Sequence, residues 1–263
     1  MKIHETAIVD PSSEIHESVE IGPYSIIEKN VKIGEGTKIG SCARIYSGVR
    51  LGKGNQIFHG CILGGDPQDL SFDTSKITIL EIGDNNIFRE TTNISRPTNP
   101  DKSMRIGSNN MLMCNAHIGH DANMGDHCIL APSAAVGGHV HIGNRVFISG
   151  LVAVHQFCRI GDYGMAAGLA KITKDIPPFC TVDGNPAGVV GVNAVGIRRA
   201  GFGSDVRRSI QNAYKVIYHS DLVTNKAIER LKSEGDRIPE VDYIIRFFEE
   251  TKRGVTEYSA YDV

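Results

Sequence analysis

The sequence predicts a parallel β-helix followed by a small α-helical domain. The main observation is that branched aliphatic residues recur at every sixth position over most of the chain from Ile3 to Ile172. The position two residues before each of them is mostly small, and a glycine or polar residue often follows it. The composition agrees with this, because 29 Gly, no Trp and 6% aromatic residues suit small regular layers better than a core of interlocking rings.

Each six-residue repeat is expected to form one short strand. Two inward positions separated by one outward residue have the period of a strand, and the following glycine or polar residue allows a tight turn. An amphipathic helix would need a period near 3.6 residues, which the series does not show. The repeats predict about eight to nine coils of about 18 residues, and about 4.8 Å per coil gives a prism roughly 40 Å long.

Two segments interrupt the repeats, near residues 66–80 and 96–104. Long loops in a regular solenoid usually lie on a binding face. After about residue 191 the six-residue pattern ends and helical periodicity replaces it. We therefore predict a β-helix over 1–191 with these two insertions, and a helical domain over 192–263.

Three helices are predicted in the second domain. Ser204 is the expected N-cap of the first of them, and Thr224 begins the second, which Gly235 closes. Pro239 opens the third, because proline is well tolerated in the first helical turn.

Charge and hydropathy exclude several classes of protein. The chain has 28 Lys+Arg against 30 Asp+Glu, and a net charge of −2 argues against nucleic-acid binding as its main role. No run of about 18 apolar residues is present, so we predict no membrane span. The segment Met1–Glu5 is charged and has no apolar region of the kind that secretory signals carry, which favours the cytoplasm.

The six cysteines are predicted to be reduced thiols. They are widely spaced and include no C-x-x-C pair, so neither a zinc site nor a disulfide framework is indicated. Cys61, Cys128 and Cys158 occupy the small inward position of their repeats, which predicts buried and inert side chains.

Stacking of the coils predicts a functional site. Residues 18 apart should lie above one another, which places His120, Gly138 and Gln156 in one column and Asp121 and His139 in the next. The site is expected at a corner of the prism. Histidines concentrate there, and such a cluster favours either general-base chemistry or metal ligation. The histidines of this stretch are at 117, 120, 127, 139, 141 and 155.

The sequence around these histidines resembles the UDP-N-acetylglucosamine O-acyltransferase family of hexapeptide-repeat acyltransferases. The resemblance is carried by NAHIGHD at 115–121, GGHV at 137–140 and AVHQFC at 153–158. It continues with QDL at 68–70, DGNPA at 183–187, RRAGF at 198–202 and NAYK at 212–215, and thus covers essentially the whole chain.

The resemblance implies a left-handed β-helix with three repeats per coil. It also implies transfer of a 3-hydroxyacyl group from acyl carrier protein to position 3 of UDP-N-acetylglucosamine, the first step of lipid A synthesis. His120 would be the general base, Asp121 would orient it or stabilise its imidazolium, and the Gly138 N–H would stabilise the oxyanion.

The resemblance further implies a set of binding residues. Those expected to hold substrate are Gln68, Asp69, His117, His139, His155 and Gln156, with Asn193 and Arg199 at the nucleotide and Met165, Gly168 and Lys171 along the acyl chain. Val195 and Ala200 depart from the family's acidic and basic residues beside the nucleotide.

One departure concerns the sugar. The family usually has a lysine directly after the QDL motif, whereas this chain has Ser71, with Lys76 five residues further on. Some relatives acylate a 3-amino analogue of the sugar nucleotide and form an amide. Loss of the lysine leaves that variant open here.

The resemblance also implies partners. Arg198, Arg199, Arg207 and Arg208, with Asp205 among them, give a local charge of +3, which suits an acidic acyl carrier protein.

Relatives are homotrimers with sites between subunits, and no metal or diffusible cofactor is required beyond the carrier's phosphopantetheine. Two alternatives remain, namely a γ-carbonic-anhydrase-like metalloenzyme on the same fold and a noncatalytic β-helical scaffold.

Overall fold

The six-residue repeats form a β-helix of short parallel strands. A computed structural model describes residues 2–236 and 238–259, and within them 26 successive strands run around three parallel sheets. The sheets take nine, nine and eight of these strands, which gives between eight and nine coils, as predicted. Register is set by the repeat, because His117 lies opposite Ala135, which in turn lies opposite Ala153.

Every third strand along the chain belongs to the same sheet. The first sheet contains β1 (Lys2–Ile3), β4 (Glu20–Ile21), β7 (Lys38–Ile39), β10 (Gln56–Ile57), β13 (Ile87–Phe88), β16 (Met111–Leu112), β19 (Ile129–Leu130), β22 (Phe147–Ile148) and β25 (Met165–Ala166). The second contains β2 (Ile8–Val9), β5 (Ile26–Ile27), β8 (Arg44–Ile45), β11 (Ile62–Gly65), β14 (Asn93–Ser95), β17 (His117–Ile118), β20 (Ala135–Val136), β23 (Ala153–Val154) and β26 (Lys171–Ile172). The third contains β3 (Glu14–Ile15), β6 (Lys32–Ile33), β9 (Val49–Leu51), β12 (Leu80–Ile82), β15 (Met104–Ile106), β18 (Asn123–Met124), β21 (His141–Ile142) and β24 (Arg159–Ile160).

Aliphatic columns inside the prism hold the coils together. In the second sheet Ile45, Leu63 and Ile94 are completely buried above one another, and each buried side chain of this size contributes about 1.5–3 kcal/mol. Cys61 and Cys128 are buried as predicted, and burial raises the pKa of the Cys61 thiol to about 11. These thiols are therefore protonated at neutral pH.

A ladder of buried asparagines lies inside one corner of the prism. The Asn55 side-chain oxygen accepts from the Asn86 backbone N–H at 2.9 Å, and the Asn86 side-chain oxygen accepts from the Asn110 N–H at 2.9 Å. Buried amides of this kind satisfy backbone groups that a tight coil would otherwise leave unpaired. They keep successive corners in register.

The helical domain packs on the last coil. The antiparallel hairpin of β27 (Cys180–Gly184) and β28 (Ala187–Val192) extends the first sheet and leads into four helices. The helices are α1 (Ala194–Arg199), α2 (Ser204–His219), α3 (Thr224–Glu234) and α4 (Pro239–Glu249). Tyr214 of α2 is buried and donates its hydroxyl to the Pro178 carbonyl at 2.6 Å, which anchors the domain to the prism.

The predicted helix boundaries are correct with two exceptions. Ser204 is the first residue of α2 instead of its N-cap, because Gly203 has the extended backbone of the cap. The short helix α1 was not predicted, since six residues are too few to show a helical period. Thr224, Gly235 and Pro239 take their expected places.

The left-handed β-helix with a small helical domain is thus the architecture of the chain. The division at residue 191 stays a prediction, and of the range 192–263 residues 237 and 260–263 lie outside the described residues. Strand gives way to helix between Val192 and Ala194. In the part of the chain that is described, no helix combines the length and the apolar character that crossing a bilayer requires.

Candidate active site

His120 and Asp121 form a hydrogen-bonded pair at the corner after β17. His120 Nδ1 lies 2.8 Å from Asp121 Oδ2, and their side chains are only 18% and 12% exposed. An ionised carboxylate can only accept, so in the neutral imidazole Nδ1 carries the proton and Nε2 has the free lone pair. This tautomer is the one that a general base needs.

Thr98, in the second insertion, donates two hydrogen bonds to the Asp121 carboxylate. Its hydroxyl donates to Oδ2 at 2.8 Å, and its backbone N–H lies 3.2 Å from Oδ1. Burial raises the pKa of the Asp121 carboxyl, but the hydrogen bonds from His120 and Thr98 outweigh it and hold that pKa below the ordinary value. The carboxylate therefore stays charged beside His120 at neutral pH.

Gly138 faces the free nitrogen of His120 across one coil. A Cβ atom on Gly138 would lie 2.8 Å from His120 Nε2 and 2.8 Å from Cε1, closer than van der Waals contact allows. Among the described residues the Gly138 N–H has no acceptor, whereas its carbonyl accepts from Phe157 at 3.0 Å. The glycine thus leaves room and one free donor next to Nε2.

His139 forms the open side of the cluster. Its Nε2 lies 3.8 Å from Asp121 Oδ2, and its ring meets the His120 ring edge-on at 5.2 Å between centroids. The His139 ring also stacks on the Phe157 ring, with 4.6 Å between the ring centroids and 5° between the ring planes. The ring is 38% exposed and yet held in a defined plane.

Buried Arg96 joins the two insertions next to this site. Its guanidinium lies 2.7 Å from an Asp66 oxygen, donates to the Lys76 carbonyl at 2.6 Å and stacks over Phe72 at 4.9 Å. The first insertion is therefore tied to the residue two places before Thr98, so the Arg96 side chain links the two loops.

The first insertion carries Gln68 and Asp69, both exposed. Ser71 donates its backbone N–H at 2.9 Å and its hydroxyl at 2.8 Å to Asp69 Oδ1. These bonds lower the pKa of the Asp69 carboxyl, with a smaller contribution from attraction to His120. Ser71 thus orients Asp69.

His117 lies at the start of β17, with Nδ1 3.1 Å from the Asn93 side-chain oxygen. His155 and Gln156 are exposed one coil beyond Gly138, and His155 Nδ1 lies 3.0 Å from the Gln156 carbonyl. The column of His120, Gly138 and Gln156 is formed as predicted, because a Cβ on the adjacent Gly137 would lie 2.8 Å from the Gln156 nitrogen.

The expected acyl-chain residues lie further along the prism. Met165 is half-buried in β25, whereas Gly168 and Lys171 are exposed at and after the next corner. Lys171 lies opposite Ala153, one coil above it.

The expected nucleotide residues lie in the helical domain. Asn193 is buried and caps α1 by accepting from the Gly196 N–H at 2.9 Å, while its amide donates to the Tyr163 carbonyl at 2.9 Å. Arg199 is exposed at the end of α1. Among the described residues no contact joins either of them to His120.

The sequence does not predict the part that three residues of the site play. Thr98 and Arg96 lie at the start of an insertion whose path no period predicts. Phe157 is part of the AVHQFC motif, and its 18-residue spacing from His139 is the signal that could have placed it.

Substitution of Thr98 by valine is expected to lower kcat/KM about tenfold, because one hydrogen bond to a charged group contributes roughly 1.5–3 kcal/mol. Steady-state kinetics on the purified chain would measure it. Thr98→Ser keeps the hydroxyl and serves as the matched variant with nearly unchanged kinetics. Equal losses in both variants would contradict a role for the hydroxyl.

The pKa of His117 is expected to lie below its ordinary 6.5, because burial disfavours the imidazolium. The unfolded chain then binds the proton first, so His117 makes the fold less stable as pH falls from about 6.5 through the folded pKa. Imidazole NMR titration against a His117→Gln spectrum would measure this. A His117 midpoint at or above 6.5 would contradict the expectation.

The fold and the site together define a hexapeptide-repeat acyltransferase. The chain's 12–47 and 103–138 match the family model described as bacterial transferase hexapeptide (six repeats), and 175–256 match that of the second domain of UDP-N-acetylglucosamine O-acyltransferase. A relative from Herminiimonas arsenicoxydans, named acyl-[acyl-carrier-protein]--UDP-N-acetylglucosamine O-acyltransferase, is 41% identical over 198 residues, covering 73% of this chain and 75% of that protein. The chain therefore belongs to the UDP-N-acetylglucosamine O-acyltransferase family.

Solved structures agree over nearly the full length. LpxA from Acinetobacter baumannii has a TM-score of 0.93 and 42% identity, covering 97% of this chain and 99% of that one. LpxA from Bacteroides fragilis 9343, titled a UDP-N-acetylglucosamine acyltransferase, has a TM-score of 0.93 and 39% identity over the same shares of the two chains. None of these relatives is a carbonic anhydrase or a noncatalytic scaffold.

Proposed function

We propose that this chain transfers a 3-hydroxyacyl group from acyl carrier protein to the 3-hydroxyl of UDP-N-acetylglucosamine, the first step of lipid A biosynthesis, with His120 as general base. The observation that carries the proposal is the His120–Asp121 hydrogen bond, which in the neutral imidazole leaves Nε2 as the free acceptor, facing Gly138. The names of the relatives supply the substrates.

In this reaction His120 Nε2 accepts the proton of the sugar hydroxyl as its oxygen attacks the thioester carbonyl carbon. Asp121 stabilises the imidazolium that forms, with Thr98 keeping the carboxylate in place. When the tetrahedral intermediate collapses, the carbon–sulfur bond breaks and His120 returns the proton to the phosphopantetheine thiolate. The products are the ester and the free thiol of the carrier.

The Gly138 N–H is the proposed oxyanion donor. It has no acceptor within the described residues and lies at the corner directly above His120. A donor of this kind aimed at the oxyanion typically contributes about 3 kcal/mol to the transition state.

The residues that bind the sugar, the thioester, the nucleotide and the acyl chain are assigned from the family resemblance. Gln68, Asp69, His117, His139, His155 and Gln156 would hold the sugar and the thioester, Asn193 and Arg199 the nucleotide, and Met165, Gly168 and Lys171 the acyl chain. Since Asn193 and Arg199 lie in the helical domain, we assign them to the site of a neighbouring subunit in a homotrimer. The proposal needs no metal or diffusible cofactor.

The carrier protein is proposed to dock at the start of the helical domain. Arg198, Arg207 and Arg208 line a cavity of about 280 Å³ between α1 and α2, and this positive surface would attract an acidic carrier. The cytoplasm is the proposed location of the encounter.

The test is to incubate the purified chain with 3-hydroxyacyl carrier proteins of several lengths and with either UDP-N-acetylglucosamine or its 3-amino analogue, and to identify products by mass. The expected result is an ester on the 3-hydroxyl. An amide from the analogue alone would assign the chain to 3-amino-sugar acylation and give Ser71 a role in that choice. Transfer to neither acceptor would overturn the proposal.

A further inference from the structure

The catalytic corner also has the composition of a transition-metal site. His120, Asp121 and His139 each offer one ligand atom, and these atoms all lie within 4.8 Å of one another. Two imidazoles and a carboxylate are a set that Zn²⁺ binds readily, with a fourth position left for water. Nothing in the acyl-transfer chemistry requires this ion, so the site would be additional to the reaction.

Two of the three ligand separations, those from the Asp121 carboxylate oxygen to each imidazole, are close to those of a tetrahedral ion. Bonds of about 2.0–2.1 Å put neighbouring ligand atoms of a tetrahedral zinc about 3.3 Å apart. Asp121 Oδ2 lies 2.8 Å from His120 Nδ1 and 3.8 Å from His139 Nε2, which bracket that value. Side-chain shifts of roughly half an ångström would therefore bring both nitrogens to the required separation from the carboxylate oxygen.

Neighbouring residues already hold two of the ligands in place. Thr98 donates to the Asp121 carboxylate, and Phe157 stacks on the His139 ring. Hydrogen bonds such as that from Thr98 normally orient metal ligands, and the stack on Phe157 keeps the His139 ring in one plane. The His139 side chain is 38% exposed, which gives an ion access from solvent.

We propose that His120, Asp121 and His139 form an inhibitory site for Zn²⁺ and related divalent transition ions. The ion takes the Nδ1 lone pair of His120, because Nδ1 is the nitrogen beside Asp121. The Nδ1 proton then moves to Nε2, so the imidazole stays neutral and no proton is lost. Nε2 becomes a donor and can no longer accept the proton of the sugar hydroxyl.

The chemistry of the ligands also predicts selectivity. Affinity should increase from Co²⁺ to Cu²⁺ in the usual order for nitrogen and oxygen donors, with Zn²⁺ below Cu²⁺. Mg²⁺ and Ca²⁺ prefer oxygen ligands and should neither bind at this site nor inhibit.

Metal binding is tested first without any activity measurement. Chelator-treated protein is titrated with Zn²⁺ in a calorimeter, and Co²⁺ is added separately to record its visible absorption bands. We expect one ion per chain and the intense bands of tetrahedral Co²⁺. His139→Asn and Asp121→Asn should each weaken Zn²⁺ binding at least tenfold, with folding checked by thermal unfolding.

His127→Asn is the matched control. His127 and His139 both occupy the left-handed backbone region, with φ of 58° and 59°, which asparagine tolerates well, and His127 is exposed at a different corner. Binding that survives His127→Asn and is lost in His139→Asn supports the site. No binding in the unaltered chain, or equal loss in both variants, overturns it.

Inhibition is then measured as the rate of acyl transfer against Zn²⁺ concentration. The inhibitory part of the proposal rests on the proposed function, whereas the binding part does not. We expect loss of activity in proportion to site occupancy, recovery on adding EDTA and no effect of Mg²⁺. Zinc that occupies the site while transfer continues at full rate would overturn the inhibitory role, and an apo-protein with no transfer at all would instead overturn the proposed function.

Discussion

Replacement of His120 by alanine is expected to lower kcat by about 10²- to 10⁴-fold, the usual contribution of a positioned general base. The side chain is 18% exposed and its hydrogen bond goes to the Asp121 side chain and not to the coil backbone, so the chain should remain folded. KM for the sugar nucleotide should change much less than kcat, because the lost interaction acts in proton transfer. The measurement is the initial rate of ester formation, followed by mass.

The control for this experiment is His127→Asn, which removes an exposed histidine from another corner. Its rate of ester formation should stay within about twofold of the unaltered chain, because surface substitutions away from special features have small effects. Thermal unfolding of both variants would show that the coils are intact. A His120→Ala chain that retains more than about a third of the rate would contradict general-base catalysis by this residue.

Replacement of Gly138 by alanine is expected to reduce kcat about 100-fold, because displacement of a reacting group by about 1 Å has effects of that size. The new Cβ would lie 2.8 Å from His120 Nε2, so the imidazole would have to move away from the position where it meets the substrate. The closest heavy atoms belong to the end of a side chain, so the substitution should alter geometry more than stability.

Gly203→Ala is the matched variant for Gly138→Ala. An added Cβ on Gly203 has no heavy atom within 4 Å, so kcat should stay near that of the unaltered chain. A crystal structure or imidazole NMR spectrum of the Gly138→Ala chain should show a displaced His120. A Gly138→Ala chain with full activity and an unmoved His120 would contradict this prediction, because the added Cβ would then disturb neither the imidazole nor the substrate.

The catalytic column could be predicted because a solenoid turns sequence separation into distance. His120 and Gly138 are 18 residues apart, and a coil without an insertion is 18 residues long, so their proximity follows from the repeat. Asp121 and His139 have the same separation and lie 3.8 Å apart. In most folds such pairs cannot be inferred from spacing, since neighbours in space have no constant offset in sequence.

The two insertions have no repeat from which contacts could be predicted. Thr98 reaches Asp121 from the insertion that begins at Arg96, and Arg96 contacts Asp66 and Phe72 of the other insertion. Contacts between two irregular segments leave no period in either of them. The functional importance of the insertions was predictable, but the residue that acts on the site was not.

In the helical domain, too, the periodic elements could be predicted from the sequence and an individual side-chain contact could not. Helices α2 to α4 have amphipathic patterns and clear stop signals, so their positions follow from the sequence with an error of one residue at Ser204. The family resemblance implies that Asn193 contacts the nucleotide, and the structure adds that its side chain caps α1 and donates to the Tyr163 carbonyl. A cap of a six-residue helix is a local event that only the folded backbone reveals.

The sequence by itself therefore determined the β-helix, the register of its coils and the column that brings His120, Asp121, Gly138 and His139 together. It could do so because each repeat buries its own aliphatic residue and stacks on its neighbour at a constant separation. The tertiary structure alone decided which tautomer His120 adopts, how Thr98 and Phe157 hold the site, and how Arg96 links the two insertions. These depend on side-chain contacts between segments of irregular path, whose geometry is set only when the whole chain has folded.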